Sequence, residues 1–226
     1  MDNMKDIIDK IVPIEWKMFV SVNGGEDPAS CQEDPVTFDG MRRAQFTAWS
    51  PETAASYLGD LEAASLAGRN LVEEKYIHMM KTTEPMQYEQ LLSRVTLPNE
   101  AADALAHEVS DLLLEQTRVL YETYPYVSGS GRPLYALFDN AGTSVETYQL
   151  SELLTYSEQT LKALKEHILH LEKDGVSLAR VIQENTVKFY GYSTLEQAEA
   201  VTKERIDKLG IQVTYGACAG GGECEI

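Results

Sequence analysis

The stretch LPNEAADALAHEVSDLLLEQTRVLYETYP, residues 97–125, decides the fold. Leu97-Pro98-Asn99-Glu100 opens it as a helix start, and Pro125 closes it. Between them Leu105, Val109, Leu112 and Leu120 recur at helical spacing and lay an apolar stripe along one face. A stripe of that length must be buried against other elements, and the flanking sequence supplies more helices to do it. Upstream, Pro13 reads as a breaker, so a first helix is predicted over 14–22, with Ile14, Trp16, Phe19, Val20 and Val22 as its broad apolar face. Residues 23–35 are too rich in Gly, Pro and Asp for a regular element. A helix over 37–48 follows. Ser50-Pro51-Glu52 reads as an N-cap with Pro in the first turn of the next helix, which Gly68 ends. Asn70 caps a helix reaching residue 81, and a short helix is expected over 86–94.

Downstream, Val127-Ser128-Gly129-Ser130-Gly131-Arg132-Pro133 reads as a loop. One long helix is predicted over 144–173, stopping at Asp174-Gly175. Helices over 176–190 and 194–209 complete the set, the last with a capping box from Ser193 to Glu196 and a closing Gly210. No segment alternates at period two for more than a few residues, although 211–215 is strand-like. The prediction is one all-α domain over 1–210, a bundle of about eight or nine helices. A flexible tail over 211–226 carries Cys218 and Cys224 among glycines.

The composition sets bounds on function. Among 226 residues, 36 are acidic and 19 are Lys or Arg, a formal charge of −17. A surface this acidic repels phosphates, which argues against nucleic acid or anionic lipid as the main partner. No apolar run approaches a membrane span, and Met1-Asp2-Asn3-Met4-Lys5-Asp6 lacks the features of a signal peptide. Three cysteines are too few for a disulfide scaffold. The expectation is an acidic, cytoplasmic protein with no membrane partner, either a homodimer or one whose tail meets a protein partner.

Four groups of residues could carry chemistry. Glu74 with His78, and Glu166 with His170, sit four apart on predicted helices, and His167 with His170 sit three apart. These could share a metal, but ordinary exposed helix faces carry the same residues. No metal site is therefore assigned, and no motif identifies a cofactor. Cys31 lies in a loop and is the in-domain thiol nucleophile on offer, with Arg42 and Arg43 as the cations that could activate it. A small buried cysteine is the favoured explanation. Cys218 and Cys224 could pair, bind a soft metal or be modified. The glycine-rich run ending at Arg132 offers amides, hydroxyls and a guanidinium to an anion, or is simply a connection. Finally, polar side chains fall where helices should be apolar. Arg42, Gln45 and Trp49 share one stripe, Asn70 and Glu74 a second, and Tyr148, Glu152 and Tyr156 a third. Such groups must be paired when buried, and together they fix a core or line a polar pocket.

These residues bring a resemblance into view. Glu15-Trp16-Lys17-Met18-Phe19, Ala29-Ser30-Cys31-Gln32, Met41-Arg42, Gln45-Phe46, Gly68-Arg69-Asn70-Leu71 and Glu74-Lys75-Tyr76 resemble an uncharacterised bacterial family, domain of unknown function 4125. So do Ser128-Gly129-Ser130-Gly131-Arg132, Ser144-Val145-Glu146-Thr147-Tyr148 and Glu152-Leu153-Leu154-Thr155-Tyr156-Ser157. The resemblance spans 15–192. The family's pattern includes Trp16, Asn23, Cys31, Gln32, Arg42, Gln45, Arg69, Asn70, Glu74, Lys75, Arg132, Glu146, Tyr148 and Tyr156, but neither His78 nor His170. It implies no settled activity. Members joined to a nucleotidyltransferase-like module, which is not seen in these 226 residues, imply a role beside small-molecule or nucleotide chemistry.

The functional expectation is an enzyme or enzyme-like protein with a polar pocket for a small anionic metabolite. Arg42, Arg69 and Arg132 would hold the anion, with Gln45, Asn70, Glu152 and Tyr156 lining the pocket. Glu74 or Glu146 would act as general acid or base, partnered by Lys75 or Tyr148, with Cys31 as nucleophile. The alternatives are a regulatory protein that binds a ligand without turnover, and a carrier whose Cys218/Cys224 tail is the working part.

Overall fold

The computed structural model describes residues 3–22 and 30–210, less the side chains at 30, 31 and 141. Among the described residues there are eleven α-helices, three short 3-10 turns and no β-strand. The all-α expectation holds, with more helices than the eight or nine expected. The expectations for the tail over 211–226, with Cys218 and Cys224, lie outside the described residues, as does Asn23.

The helices are α1 (Met4–Val20), α2 (Pro35–Phe46), α3 (Pro51–Leu66), α4 (Leu71–Thr83), α5 (Pro85–Leu91), α6 (Glu100–Thr123), α7 (Pro125–Gly129), α8 (Val145–Leu153), α9 (Glu158–Lys173), α10 (Leu178–Phe189) and α11 (Leu195–Leu209). Three departures from the sequence reading have local causes, and two of them, at Ser157 and at Pro125, account for the larger number. Pro13 does not break α1 but sits inside it. It lies on the exposed face, where water can meet the carbonyl its missing N–H leaves free. Ile7, Ile8 and Ile11 before it and Met18 and Phe19 after it bury the same helix on both sides of the proline.

The helix expected over 144–173 is two helices. Ser157 caps α9 by accepting from the Thr160 amide at 3.2 Å. Asp60 of α3 accepts from the Ser157 amide at 3.0 Å and from the Thr160 hydroxyl at 2.7 Å, which fixes the corner. The segment expected to be a loop from residue 127 begins inside α7. That short helix starts at Pro125, and its Tyr126 and Val127 amides are held by the Glu199 carboxylate at 2.9 and 2.8 Å. In α11 the cap is Thr194 accepting from Gln197, rather than Ser193 with Glu196. Glu196 instead accepts from the Tyr124 hydroxyl at 2.6 Å.

Packing follows the apolar stripes. α3 lies against α1 and α9, α6 against α8, α9 and α10, and α4 against α1 and α8. The main core is continuous from Ile7 and Ile11 through Phe46, Tyr57 and Leu61 to Val109, Leu161, Leu164, Ile168 and Leu178. A smaller core of Leu120, Tyr124, Val187, Leu195 and Ala198 seats α11 on the end of α6. Gly40 of α2 is where α10 comes closest, since a Cβ there would lie 2.1 Å from the Phe189 ring. Among the described residues no helix is long and apolar enough to cross a membrane.

The end of α1 is tied down by two side-chain amides. Asn70 caps α4 through the Glu73 amide at 3.0 Å, and its own amide donates to the Met18 carbonyl at 2.8 Å. Gln32 donates to the carbonyls of Phe19 and Val22 at 2.8 and 3.0 Å. Asn70→Ala therefore removes a cap and a donor to a helix end, and is expected to lower the unfolding free energy by about 1–3 kcal/mol. Asn70→Asp keeps the cap acceptor and is expected to cost less. Equal denaturant midpoints for the wild type and Asn70→Ala would refute this double role.

Candidate functional site

Arg42 is the centre of a buried polar cluster. α2 carries it toward α1, where Nε and Nη2 donate to Glu15 Oε2 and Oε1 at 2.7 and 2.6 Å. This is a bidentate pair, the strongest geometry a guanidinium offers a carboxylate. Arg42 Nη2 also reaches Glu152 Oε1 of α8 at 3.1 Å, and Nη1 donates to Gln45 Oε1 at 2.8 Å. Glu152 collects further donors: Gln45 Nε2 at 3.1 Å, the Tyr156 hydroxyl at 2.7 Å and Lys75 Nζ of α4 at 2.6 Å. The Tyr57 hydroxyl of α3 donates to Glu15 at 2.6 Å. Two carboxylates thus face two cations, and the cluster is neutral. Glu15 is 1% exposed, so a single unpaired charge here would be costly.

The environment fixes the protonation states. Burial opposes the charge on Glu152, but Arg42 and Lys75 outweigh it and hold its carboxyl well below the usual range. Burial likewise works against the Arg42 charge, yet Glu15 and Glu152 raise its pKa well above the ordinary value. Burial, reinforced by Glu15 for Tyr57 and by Glu152 for Tyr156, pushes both phenols well up. At neutral pH the carboxylate is an ion and the phenols keep their protons.

This cluster forms the inner surface of a cleft of about 690 Å³, a size typical of small-molecule sites. α1, α2 and α4 contribute Phe19, Phe38, Met41, Val72 and Tyr76 to its lining, while α6, α7 and α10 contribute Leu113, Thr117, Val127 and Ile182. Phe19 and Phe38 stack with centroids 5.1 Å apart. Tyr148 of α8 also faces the cleft and meets two cations. Lys75 Nζ lies 3.5 Å and Arg132 Cζ 4.6 Å from its ring centroid. Arg132 is exposed, and its Nη1 donates to the Thr143 carbonyl at 2.9 Å. The Tyr121 hydroxyl donates to the Arg132 carbonyl at 2.6 Å and holds this turn in place.

Seven of the residues singled out in the sequence meet here: Arg42, Gln45, Lys75, Arg132, Tyr148, Glu152 and Tyr156. Four others do different work. Arg69 and Glu74 form their own bidentate pair at 2.9 and 2.7 Å, outside the cleft lining. Asn70 caps α4. Glu146 accepts from the Ala136 amide at 2.7 Å and anchors the 3-10 turn Ala136–Ala141. The Cys31 backbone lies in the turn Ser30–Glu33, and its side chain is outside the described set. The glycine-rich run is no amide nest: the Ser128 and Gly131 amides are already used by the Tyr124 and Ser128 carbonyls. The cation of this run is the exposed Arg132 side chain.

Sequence reasoning missed Glu15 and Tyr57 as members of the site. The signal was available: Glu15 sits among Ile11, Val12, Met18 and Phe19, on the apolar face of its helix.

Among the described residues, no group of three or more His, Cys, Asp or Glu could hold a metal ion. His78 is buried with Nε2 unpartnered among the described residues, and burial lowers its pKa against the pull of Glu74. His167 Nε2 meets the Ala48 carbonyl at 3.0 Å, and His170 is exposed.

The cluster sets the pH limits of stability. Glu152 has a folded pKa below its ordinary 4.5, so its stabilisation is complete above that pH and drains away as pH falls toward the folded value. Tyr57 and Tyr156 have folded pKa values above their ordinary 10.0, so their contribution is complete below pH 10 and is lost as pH rises through the folded values. A stability plateau is expected from about pH 5 to about pH 9.5, read as urea midpoints across pH. Glu152→Gln strands Lys75 without its carboxylate. It is expected to cost about 3–5 kcal/mol and to flatten the acid limb. An acid limb unchanged in that variant would show that other carboxyls set it.

No curated protein and no solved structure matches the chain. One family profile does, described as Protein of unknown function (DUF4125), and it covers residues 5–200. That span contains every residue of the buried cluster and its cleft, and the chain belongs to this family.

Proposed function

We propose that the cleft binds a small anionic metabolite and that the Glu15–Arg42–Glu152–Lys75 cluster is its rigid inner surface. The observation that carries this reading is Arg132, an exposed guanidinium of the cleft lining that lies 4.6 Å from the Tyr148 ring centroid and has no carboxylate partner among the described residues. A guanidinium with unused N–H groups and no carboxylate partner gains a charge-assisted pair when an anion arrives. The Arg132 Nε and Nη2 and the Tyr148 hydroxyl have no hydrogen-bond partner among the described residues, so donors are available to such a ligand.

Binding without turnover fits the geometry better than acid–base catalysis. Glu152 is held ionised, Tyr57 and Tyr156 are held neutral, and all three have their hydrogen bonds satisfied within the cluster. Glu74 and Glu146, expected as acid or base, are tied to Arg69 and to the Ala136 amide. A role as a cytoplasmic, metabolite-responsive protein belongs to the same proposal.

The test is a thermal-shift screen of small organic anions, with neutral molecules of matched size as controls. At least one anion is expected to raise the melting temperature. At a hundredfold excess over Kd, ligand linkage supplies about 2.7 kcal/mol. Thr117→Trp fills the cleft and should abolish the shift. An anion-induced shift that persists in Thr117→Trp, or a screen in which only neutral molecules stabilise, would overturn the reading.

A further inference from the structure

The charge balance and shape of the cleft narrow the ligand class. The cations lining it are Arg42, Lys75 and Arg132. Glu15 and Glu152 neutralise the first two within the buried cluster. Arg132 is the one cation of this lining without a carboxylate partner among the described residues, while Asp34 also lines the cleft, so three cations meet three carboxylates there. One guanidinium without an ion pair matches a single anionic headgroup. A phosphate monoester, a dicarboxylate or a pyrophosphate would carry a second charge with no second cation to meet it, in a chain of formal charge −17.

The free edge of Arg132 sets the shape of that anion. Nη1 is committed to the Thr143 carbonyl, so Nε and Nη2 remain, the side-on pair that grips both oxygens of a carboxylate. Tyr148, whose hydroxyl has no hydrogen-bond partner among the described residues, lines the same cleft. The rest of the lining is mostly apolar, interrupted by polar residues such as Thr117, Gln149, Gln183 and Thr186. Phe19 and Phe38 stack, and Met41, Val72 and Ile182 extend the surface. A ligand whose charge sits at Arg132 gains by laying apolar atoms against these side chains.

We infer that the cleft takes an amphipathic monocarboxylate: one carboxylate held by the Nε/Nη2 edge of Arg132 over the Tyr148 ring, and an aryl or alkyl body against the Phe19–Phe38 wall. This rests on the small-anion reading above and goes further by fixing charge, headgroup and body.

The experiment is isothermal titration of the full chain with 4-phenylbutanoate, decanoate, 4-phenylbutanamide and 2-phenylethyl phosphate. At least one carboxylate is expected to bind at least tenfold tighter than the amide and the phosphate. Arg132→Gln should weaken that carboxylate at least tenfold and leave the amide unchanged. Arg132→Lys, which keeps the charge but loses the fork, should fall between them. Arg132 is exposed, so equal melting temperatures of the free variants will show that folding is intact.

Tighter binding of the phosphate overturns the monoanion argument. Equal binding of the amide, or an Arg132→Gln variant that binds as the wild type does, overturns the headgroup. If no carboxylate binds at about 1 mM while another anion still gives a shift abolished by Thr117→Trp, this inference fails and the broader reading stands. If no anion stabilises the protein at all, both fail.

Discussion

The pairing of Arg42 with two carboxylates at once is the constraint on which the rest of the structure depends. One guanidinium joins Glu15 of α1 to Glu152 of α8, which are 137 positions apart in the chain. Tyr57 adds α3, Lys75 adds α4, and Tyr156 closes the corner between α8 and α9. Removing either carboxylate would strand a charge in a dry interior, so these helices have one mutual arrangement that satisfies every member. Apolar packing brings the helices together. The polar cluster selects which of many similar packings is kept.

That selection explains how a cleft can open so close to the core. A helical bundle ordinarily closes over apolar surface, because filling a void gains contacts on both sides. Here the inner surface of the cleft is a saturated hydrogen-bonded cluster that cannot slide without breaking several charged bonds together. The aromatic groups around it reinforce the same geometry: Trp49 meets Phe46, Tyr57 and Tyr156 edge to face with centroids 5.0 to 6.1 Å apart. The surrounding helices are thus held at a fixed separation, and the space between them persists.

Much of this was legible in the sequence because charged residues on apolar stripes are rarely accidental. Arg42 with Gln45, and Tyr148 with Glu152 and Tyr156, showed themselves by spacing alone, and the helices that carry them were expected to start at 37 and 144, close to their observed starts at Pro35 and Val145. Partnership was not legible. Lys75 follows Glu74 directly, yet the turn of the helix sends Lys75 to Glu152 and Glu74 to Arg69. A sequence lists both as neighbours and says nothing of the divergence. The corner at Ser157 was hidden for a different reason. Its decisive partner is Asp60, nearly a hundred positions away, and a helix that continued through it would also have read well. Pro13 misled in the opposite direction, because tertiary burial of Ile11 and Met18 outweighs the missing hydrogen bond.

The electrostatic layout separates stability from recognition. The charges that hold the bundle cancel one another where water is excluded and interactions are strong. The cation without a carboxylate partner, Arg132, sits at the mouth, anchored through its backbone by Tyr121 and through one edge by Thr143. A guanidinium that is stacked and half-committed has already lost much of its freedom, so a ligand that completes its remaining edge meets a small entropic cost. The strongly acidic surface works with this arrangement. It repels multiply charged anions at long range, and a singly charged amphipathic molecule can regain through apolar burial what that field takes away. In the proposed reading, selection by charge number would follow from the balance of the whole chain as much as from the contacts at Arg132.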